Sequence, residues 1–311
     1  MDQVELIGVQ LKGNHITESR ELSDESNSLG NEQNYPPEPQ SKVLKKLERA
    51  EAITGEKEVK AKEMLEKQNN SAKAPSEFNK ERYVREAAKS WNLFYKRNTT
   101  NFFKDRHWTE REFPELGKVG NDRKLLEIGC GVGNFVFPLL KANPELFIYC
   151  CDFSPKAIEL VQQNSEYDPT RCKAFVCDMT TRDLLDEIEP NSIDLLSSIF
   201  CLSAIPPQKI DVCMENIAKV LKPGGIFMFR DYGLYDASQL RFKAENKIDE
   251  RFYVRGDGTF TLFFTPAYLQ SLCEKVGLEM IENDYVLKEV INRKKELSMD
   301  RIFVQGRFRK I

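Results

Sequence analysis

The chain has 311 residues, 41% of them apolar and 31% charged, with a formal net charge of −3 at pH 7. That apolar fraction supports a sizeable core, in one large domain with an extension or in two small ones. No run approaches the ~18 apolar residues of a membrane-spanning helix, the acidic N-terminus lacks the apolar core of a targeting signal, and eight cysteines with no Cys-x-x-Cys pair, beside two histidines, suit neither a disulfide framework nor a metal site. Buried free thiols in a reducing compartment, the cytoplasm and also the nucleus, are the expectation.

The charge is segregated. Residues 1–40 carry eight acids and two bases, residues 76–111 nine bases and five acids, and residues 288–311 eight bases and three acids. An acidic tail with two basic stretches suggests a local surface for a polyanion. Residues 1–40 are polar, contain Pro36-Pro37-x-Pro39, and are expected to be disordered because they offer little apolar surface to offset the entropy of ordering. Residues 42–68 are rich in Lys, Glu, Ala and Leu and read as a solvated helix, with Val43, Leu44, Leu47 and Ile53 as its few docking positions.

The spacing predicts a better helix over 77–97, where Tyr83, Ala87, Trp91 and Tyr95 recur every fourth residue on one face. Lys96 and Arg97 end it. The segment that follows mixes Phe102, Phe103 and Trp108 with Lys104 and Arg106. Rings and cations in alternation suit single-stranded nucleic acid, by stacking and phosphate contact; composition alone favours the plainer reading that the rings pin the helix to the core.

From Lys124 the chain alternates strands and helices. A strand at 124–128 runs into Gly129, Gly131 and Gly133, then a helix at 133–141. A second strand, 146–151, ends at Asp152, and Ser154-Pro155 caps the helix after it. A third, 173–177, ends at Asp178. A fourth spans 193–200, a helix about 207–221, and Lys222-Pro223-Gly224-Gly225 turns into a fifth strand. A hairpin over 251–264 with Gly256-Asp257-Gly258 at its tip, a helix at 266–276 and two strands near 279–288 and 300–309 complete the chain. Apolar strands alternating with helices imply a parallel sheet covered on both faces. Ligands of such sheets bind at the carboxyl ends of the strands, where Gly129, Asp152 and Asp178 lie. Asp152 follows Gly129 by 23 positions, the distance at which an acid meets a ribose diol. The Gly-x-Gly-x-Gly spacing and the second acid favour S-adenosylmethionine over a dinucleotide, since a donor without phosphates needs partners for its ribose and base.

E-I-G-C-G-V-G-N, C-D-F-S, C-D-M-T and L-K-P-G-G resemble the motifs of class I (Rossmann-like) methyltransferases. With W-N-L-F-Y-K-R-N-T-T-N-F-F-K-D-R-H-W, F-R-D-Y-G-L-Y-D and F-Y-V-R-G-D-G-T, the chain is similar over roughly residues 77–310 to the methyltransferase-like enzymes that form 3-methylcytidine in the tRNA anticodon loop, nearest the branch acting on serine tRNAs. The resemblance implies a mixed seven-stranded sheet with helices on both faces and an N-terminal helical extension. It divides the chain into an acidic tail (1–40), an RNA-docking and cofactor-lid extension (41–115) and a catalytic domain (116–311). It implies that Trp91 and Tyr95 fold over S-adenosylmethionine beside Gly129, Gly131, Asp152, Asp178, Met179 and Ile199, and that cytidine 32 of serine tRNA is the substrate, with seryl-tRNA synthetase as a partner. Two departures stand out: L-S-A-I-P-P places Pro206 at a variable position, and D-G-T-F has Phe260 where arginine is usual.

N3 of cytosine has an in-plane lone pair, so attack on a sulfonium methyl needs no strong base. The site must orient the extruded base, exclude water and tolerate a cationic product. Asp231 is the candidate to hold the exocyclic amine and compensate that charge, equally a candidate loop cap; Arg230 and Arg255 are candidates for phosphate or the base carbonyl. Lys96, Arg97, Lys104 and Arg106 are the candidate RNA contacts. The alternatives are a class I methyltransferase of small molecules or proteins, which would not need the cationic and aromatic extension, and a non-catalytic scaffold presenting tRNA, which would not need Gly129, Asp152 and Asp178.

Overall fold

The computed structural model describes residues 55–71, 75–117, 123–292 and 297–311. The polar segment 1–40 and the apolar positions Val43, Leu44, Leu47 and Ile53 lie outside the described residues.

Two helices precede the sheet. The first, α1 (Glu56–Asn69), is the described part of the expected solvated helix. It is anchored at its end, where Gln68 Nε2 donates to the carbonyls of Gln239 (3.3 Å) and Phe242 (2.8 Å). The second, α2 (Glu77–Asn98), starts where Ser76 accepts from Asn79 N. A short turn of helix, α3 (Thr109–Glu112), leads towards the sheet.

The sheet order is β3-β2-β1-β4-β5-β10-β9. Its parallel part comprises β1 (Lys124–Ile128), β2 (Phe147–Asp152), β3 (Cys172–Val176), β4 (Ile193–Ile199) and β5 (Leu221–Tyr232). At the far edge, β9 (Leu278–Asn292) and β10 (Leu297–Lys310) form an antiparallel pair, and β10 runs antiparallel to β5. The seven-stranded mixed sheet is therefore the expected one. The helices α4 (Val136–Ala142), α5 (Pro155–Gln162), α6 (Pro207–Val220) and α8 (Pro266–Glu274) cover it. The short helix α7 (Ala237–Leu240) precedes a separate small sheet of β6 (Lys247–Asp249), β7 (Phe252–Val254) and β8 (Phe260–Leu262).

Period-two burial explains the two cores. On β1, Leu126 and Ile128 join Ile210, Met214, Phe229, Phe252 and Leu269 on one face, whereas Leu125 joins Val136, Ile148, Ile158, Leu195 and Met228 on the other. All eight cysteines are free. Lys222 to Gly225, expected as a turn ahead of the fifth strand, are a bulge within it. Pairing with β4 jumps from Ile193–Leu221 to Leu195–Ile226, with Gly224 at φ 78°. The hairpin expected over 251–264 gains β6 as a third strand. Phe260 is fully buried and packs on Phe252 with ring centroids 4.7 Å apart, so its side chain serves the hairpin core rather than a surface that could meet RNA.

Candidate active site

A cavity of about 650 Å³ opens at the carboxyl ends of the parallel strands. Its floor comes from Gly129, Cys151, Asp152, Asp178 and Met179, and α2 roofs it with Trp91 and Tyr95. The sheet thus gathers residues far apart in sequence at one edge, as strand polarity requires. The glycine turn is where backbone freedom matters. Gly129 and Gly131 have φ of 64° and 57°, and a Cβ on Gly131 would sit 2.9 Å from the Tyr95 hydroxyl, while one on Gly129 would collide with the Cys201 side chain. Gly131 is glycine because the lid tyrosine lies against it.

Asp152 is held on both oxygens: Gly131 N donates to Oδ2 (3.0 Å) and Ser154 N to Oδ1 (2.9 Å). Burial pushes its pKa up from 3.8 to about 6, against those two amides. Each oxygen keeps a lone pair for a further donor. Asp178 Oδ1 accepts from Thr180 N (3.0 Å) and Thr180 Oγ1 (2.7 Å), which fixes that carboxylate at the cavity wall. Met179 is buried beside it, its carbonyl taken by Asn216 Nδ2 at 3.1 Å. Ile199 and the Gly131 backbone stand behind the cavity lining rather than in it, with the Ile199 carbonyl accepting from Arg106 Nη1 (3.1 Å).

The lid is an aromatic stack. Trp91 and Tyr95 lie with centroids 5.9 Å apart and Phe94 meets both edge-on. Tyr95 is buried; burial first, and Asp152 second, hold its hydroxyl well above the usual range. The Trp91 Nε1 proton is buried with no acceptor. A buried indole donor without a partner is costly, and the residue that carries it lines the cavity. Two acids on strand ends and one orphaned donor under a lid fit a methyl donor bearing a ribose, a base and an amino-acid tail.

Other residues named from the sequence are placed elsewhere. Asp231 is fully buried and absent from the cavity wall: Oδ2 accepts from Ser203 N (2.9 Å) and Oδ1 from Tyr232 N (2.9 Å), so it caps the turn after β4. Arg230 points away from the cavity, 4.5 Å from the Trp108 ring and bonded to Gln305 Oε1 (2.9 Å). Arg255 is likewise absent from the cavity wall; it lies 5.5 Å from the Tyr232 ring, with Nη1 on the Phe260 carbonyl (2.9 Å). Arg106, expected at phosphate, is committed inward: it lies 3.6 Å from Glu127, a carboxylate that burial raises to about 8. With Nη1 on the Ile199 carbonyl and the side chain only 16% exposed, that guanidinium is turned away from any RNA surface. Lys96, Arg97 and Lys104 are exposed.

Phe200 was not legible in the sequence. It lines the cavity and takes φ 56°, a conformation that a bulky residue adopts only when its surroundings impose it. Its ring meets Tyr232 at 5.1 Å and Phe303 at 5.5 Å, joining the cavity to a tier of aromatic rings. The first turns of α2 (Lys80, Val84, Arg85), Ile205 and Pro206, and the first turn of α6 (Gln208, Lys209) were also missed as walls.

The comparisons agree with this geometry. A family model for a methyltransferase domain matches residues 126–227, and a solved S-adenosylmethionine-dependent methyltransferase from Anabaena variabilis has the same fold (TM-score 0.53, 13% identity, 72% of this chain and 95% of that chain covered). Among curated relatives, human tRNA N(3)-cytidine methyltransferase METTL6 is 54% identical over 239 residues, covering 76% of this chain and 84% of its own. The chain belongs to the tRNA N(3)-cytidine methyltransferases. A fission-yeast member, trm141 of Schizosaccharomyces pombe, is 45% identical, with 76% of this chain and 97% of its own covered, and the METTL2 member of Danio rerio is 41% identical over 78% and 79%. As a class I member of this family, the protein uses S-adenosylmethionine as the methyl donor.

Proposed function

We propose that this protein methylates N3 of cytidine 32 in the anticodon loop of serine tRNAs, working beside seryl-tRNA synthetase in the cytoplasm and nucleus. The observation that supports the reaction most is the 54% identity to a tRNA N(3)-cytidine methyltransferase over the part of the chain that holds the cavity and its lid. The donor supplies an electrophilic methyl on a sulfonium. Asp152 accepts from the ribose hydroxyls, the Asp178–Met179 segment takes the adenine, and Trp91 Nε1 donates to the donor's carboxylate, while Trp91 and Tyr95 exclude water.

Phe200 is the stacking surface for the extruded cytosine, because among the described residues it alone joins the cavity to the Tyr232–Phe303 tier. Arg255, beside Tyr232, faces the phosphate or the base carbonyl; Asp231 acts one step removed, by fixing the turn that follows Phe200. No residue needs to remove a proton from N3, so the residues orient and desolvate rather than act as bases. Lys96, Arg97 and Lys104 meet the anticodon arm at the exposed end of α2. The test is incubation of purified protein with labelled S-adenosylmethionine and total tRNA, then mapping of the modified nucleoside. Label in 3-methylcytidine at position 32 of serine tRNAs supports the reading; label in another nucleoside, or in protein alone, overturns it.

A further inference from the structure

Trp91 and Tyr95 turn one face of α2 into the cavity, and Asn92, next on the helix, looks onto α5 instead. Its Oδ1 accepts from Ser154 Oγ (3.1 Å) and from Lys156 N (3.2 Å). The backbone N–H of Lys156 can only donate, so the amide oxygen must face it. Lys156 sits at the start of α5, where first-turn amides have no partner within the helix. A residue of the lid helix therefore supplies part of the cap of a helix belonging to the sheet domain.

Ser154 carries the connection onward. Its hydroxyl donates to Asn92 and accepts from Ala157 N (3.3 Å), and its own N–H donates to Asp152 Oδ1 (2.9 Å). One chain of hydrogen bonds thus runs from the lid through Ser154 to the acid at the end of β2. The second oxygen of that acid is held by Gly131, whose turn is covered by Tyr95 from the same lid helix. Both supports of Asp152 touch α2.

We propose that Asn92 is a positioning residue for the cofactor site: it couples docking of the lid helix to the orientation of Asp152. The donor's ribose is then recognised fully only when the lid is down. This inference rests on the assignment of the cavity to S-adenosylmethionine. Asn92 does not line the cavity, so its effect appears in donor affinity alone.

The experiment compares Asn92→Ala and Asn92→Asp in the full-length protein. Alanine removes the acceptor but favours the helix, so the apo protein should melt at the wild-type temperature. Aspartate keeps an oxygen acceptor for both donors and suits a helix N-terminus. Calorimetry with S-adenosylhomocysteine should show about tenfold weaker binding for alanine, the size of two hydrogen bonds to a part-buried site, and binding within about threefold of wild type for aspartate. KM for tRNA at saturating donor should be unchanged in both. Wild-type affinity in the alanine variant, an aspartate variant as weak as alanine, or a tRNA KM that rises in step overturns the proposal. Wild-type protein that fails to bind S-adenosylhomocysteine would instead overturn the assignment of the cavity.

Discussion

Asp152→Asn is the substitution that tests the ribose acid: it preserves shape and removes charge, and it also sets an amide donor against one of the two backbone N–H groups that the carboxylate holds. In the wild type the carboxylate holds two backbone N–H groups and must be ionised to accept two further hydroxyls. Charge-assisted hydrogen bonds contribute about 1.5–3 kcal/mol, so the variant should bind S-adenosylhomocysteine roughly 10–150-fold more weakly near pH 8. The pH dependence is the sharper signature. Burial holds the free carboxyl at about 6, and the donor's hydroxyls favour the ionised form. Binding is therefore insensitive to pH above about 7 and weakens as pH falls through 6, approaching tenfold per pH unit. At about pH 5 only roughly one site in ten is ionised. The asparagine variant has no such group, so its affinity should be flat over this range. Calorimetric titrations from pH 5 to 8 supply both numbers. An asparagine variant that binds within twofold of wild type, or one that keeps the acid-side loss, would show that Asp152 does not hold the ribose.

Glu127, raised from 4.5 to about 8 by burial despite Arg106, costs the folded state more as pH rises between those values. Replacement by Gln should therefore gain about 3 kcal/mol of relative stability between about pH 5.5 and 8.5, read by denaturant melts; equal pH slopes would contradict the burial argument. Lys104→Glu should weaken tRNA binding and lower its salt slope by about 0.7–0.9. Arg106→Glu should prevent folding, visible by circular dichroism, because it sets a second carboxylate against Glu127; a folded Arg106→Glu protein with a reduced salt slope would return that residue to the RNA surface. Asp231→Asn trades one acceptor of a backbone amide for a donor and should lower stability by about 1–3 kcal/mol. It should leave the single-turnover methyl-transfer rate within about tenfold, and a loss of a hundredfold or more at unchanged donor affinity would place the charge of Asp231 at the reacting base.

The ligand edge of the fold was legible because each of the first three strands announced itself twice, by an apolar run and by the residue ending it, whereas β6 was not read at all. Gly129, Asp152 and Asp178 fall at the cavity for that reason: strand polarity fixes which end a terminal residue occupies. The four-residue recurrence of Trp91 and Tyr95 likewise predicted a shared face. Partners in space were not legible. Arg106 lies among cations and rings that mimic an RNA surface, yet its guanidinium is turned inward to the Ile199 carbonyl and to Glu127, which stands on an apolar strand as an apparent surface acid. Asp231 lies near the end of β5 at the ligand edge, but period-two alternation turns it inward to the turn of Ser203. Phe200 carries no signal, since positive φ at phenylalanine is imposed by packing and not by residue type.

The lid helix carries the cavity roof at Trp91 and Tyr95 and exposed cations at Lys96 and Arg97, the next two residues. Whatever the last turn holds outside therefore bears on a door. If tRNA rests on those cations, it favours the closed position, and by reciprocity the closed, donor-filled protein favours tRNA to the same degree. The spent donor would then leave only after the RNA has let go, so turnover would be paced by exit rather than by methyl transfer. Dissociation of S-adenosylhomocysteine that is no slower with tRNA present would remove that ordering.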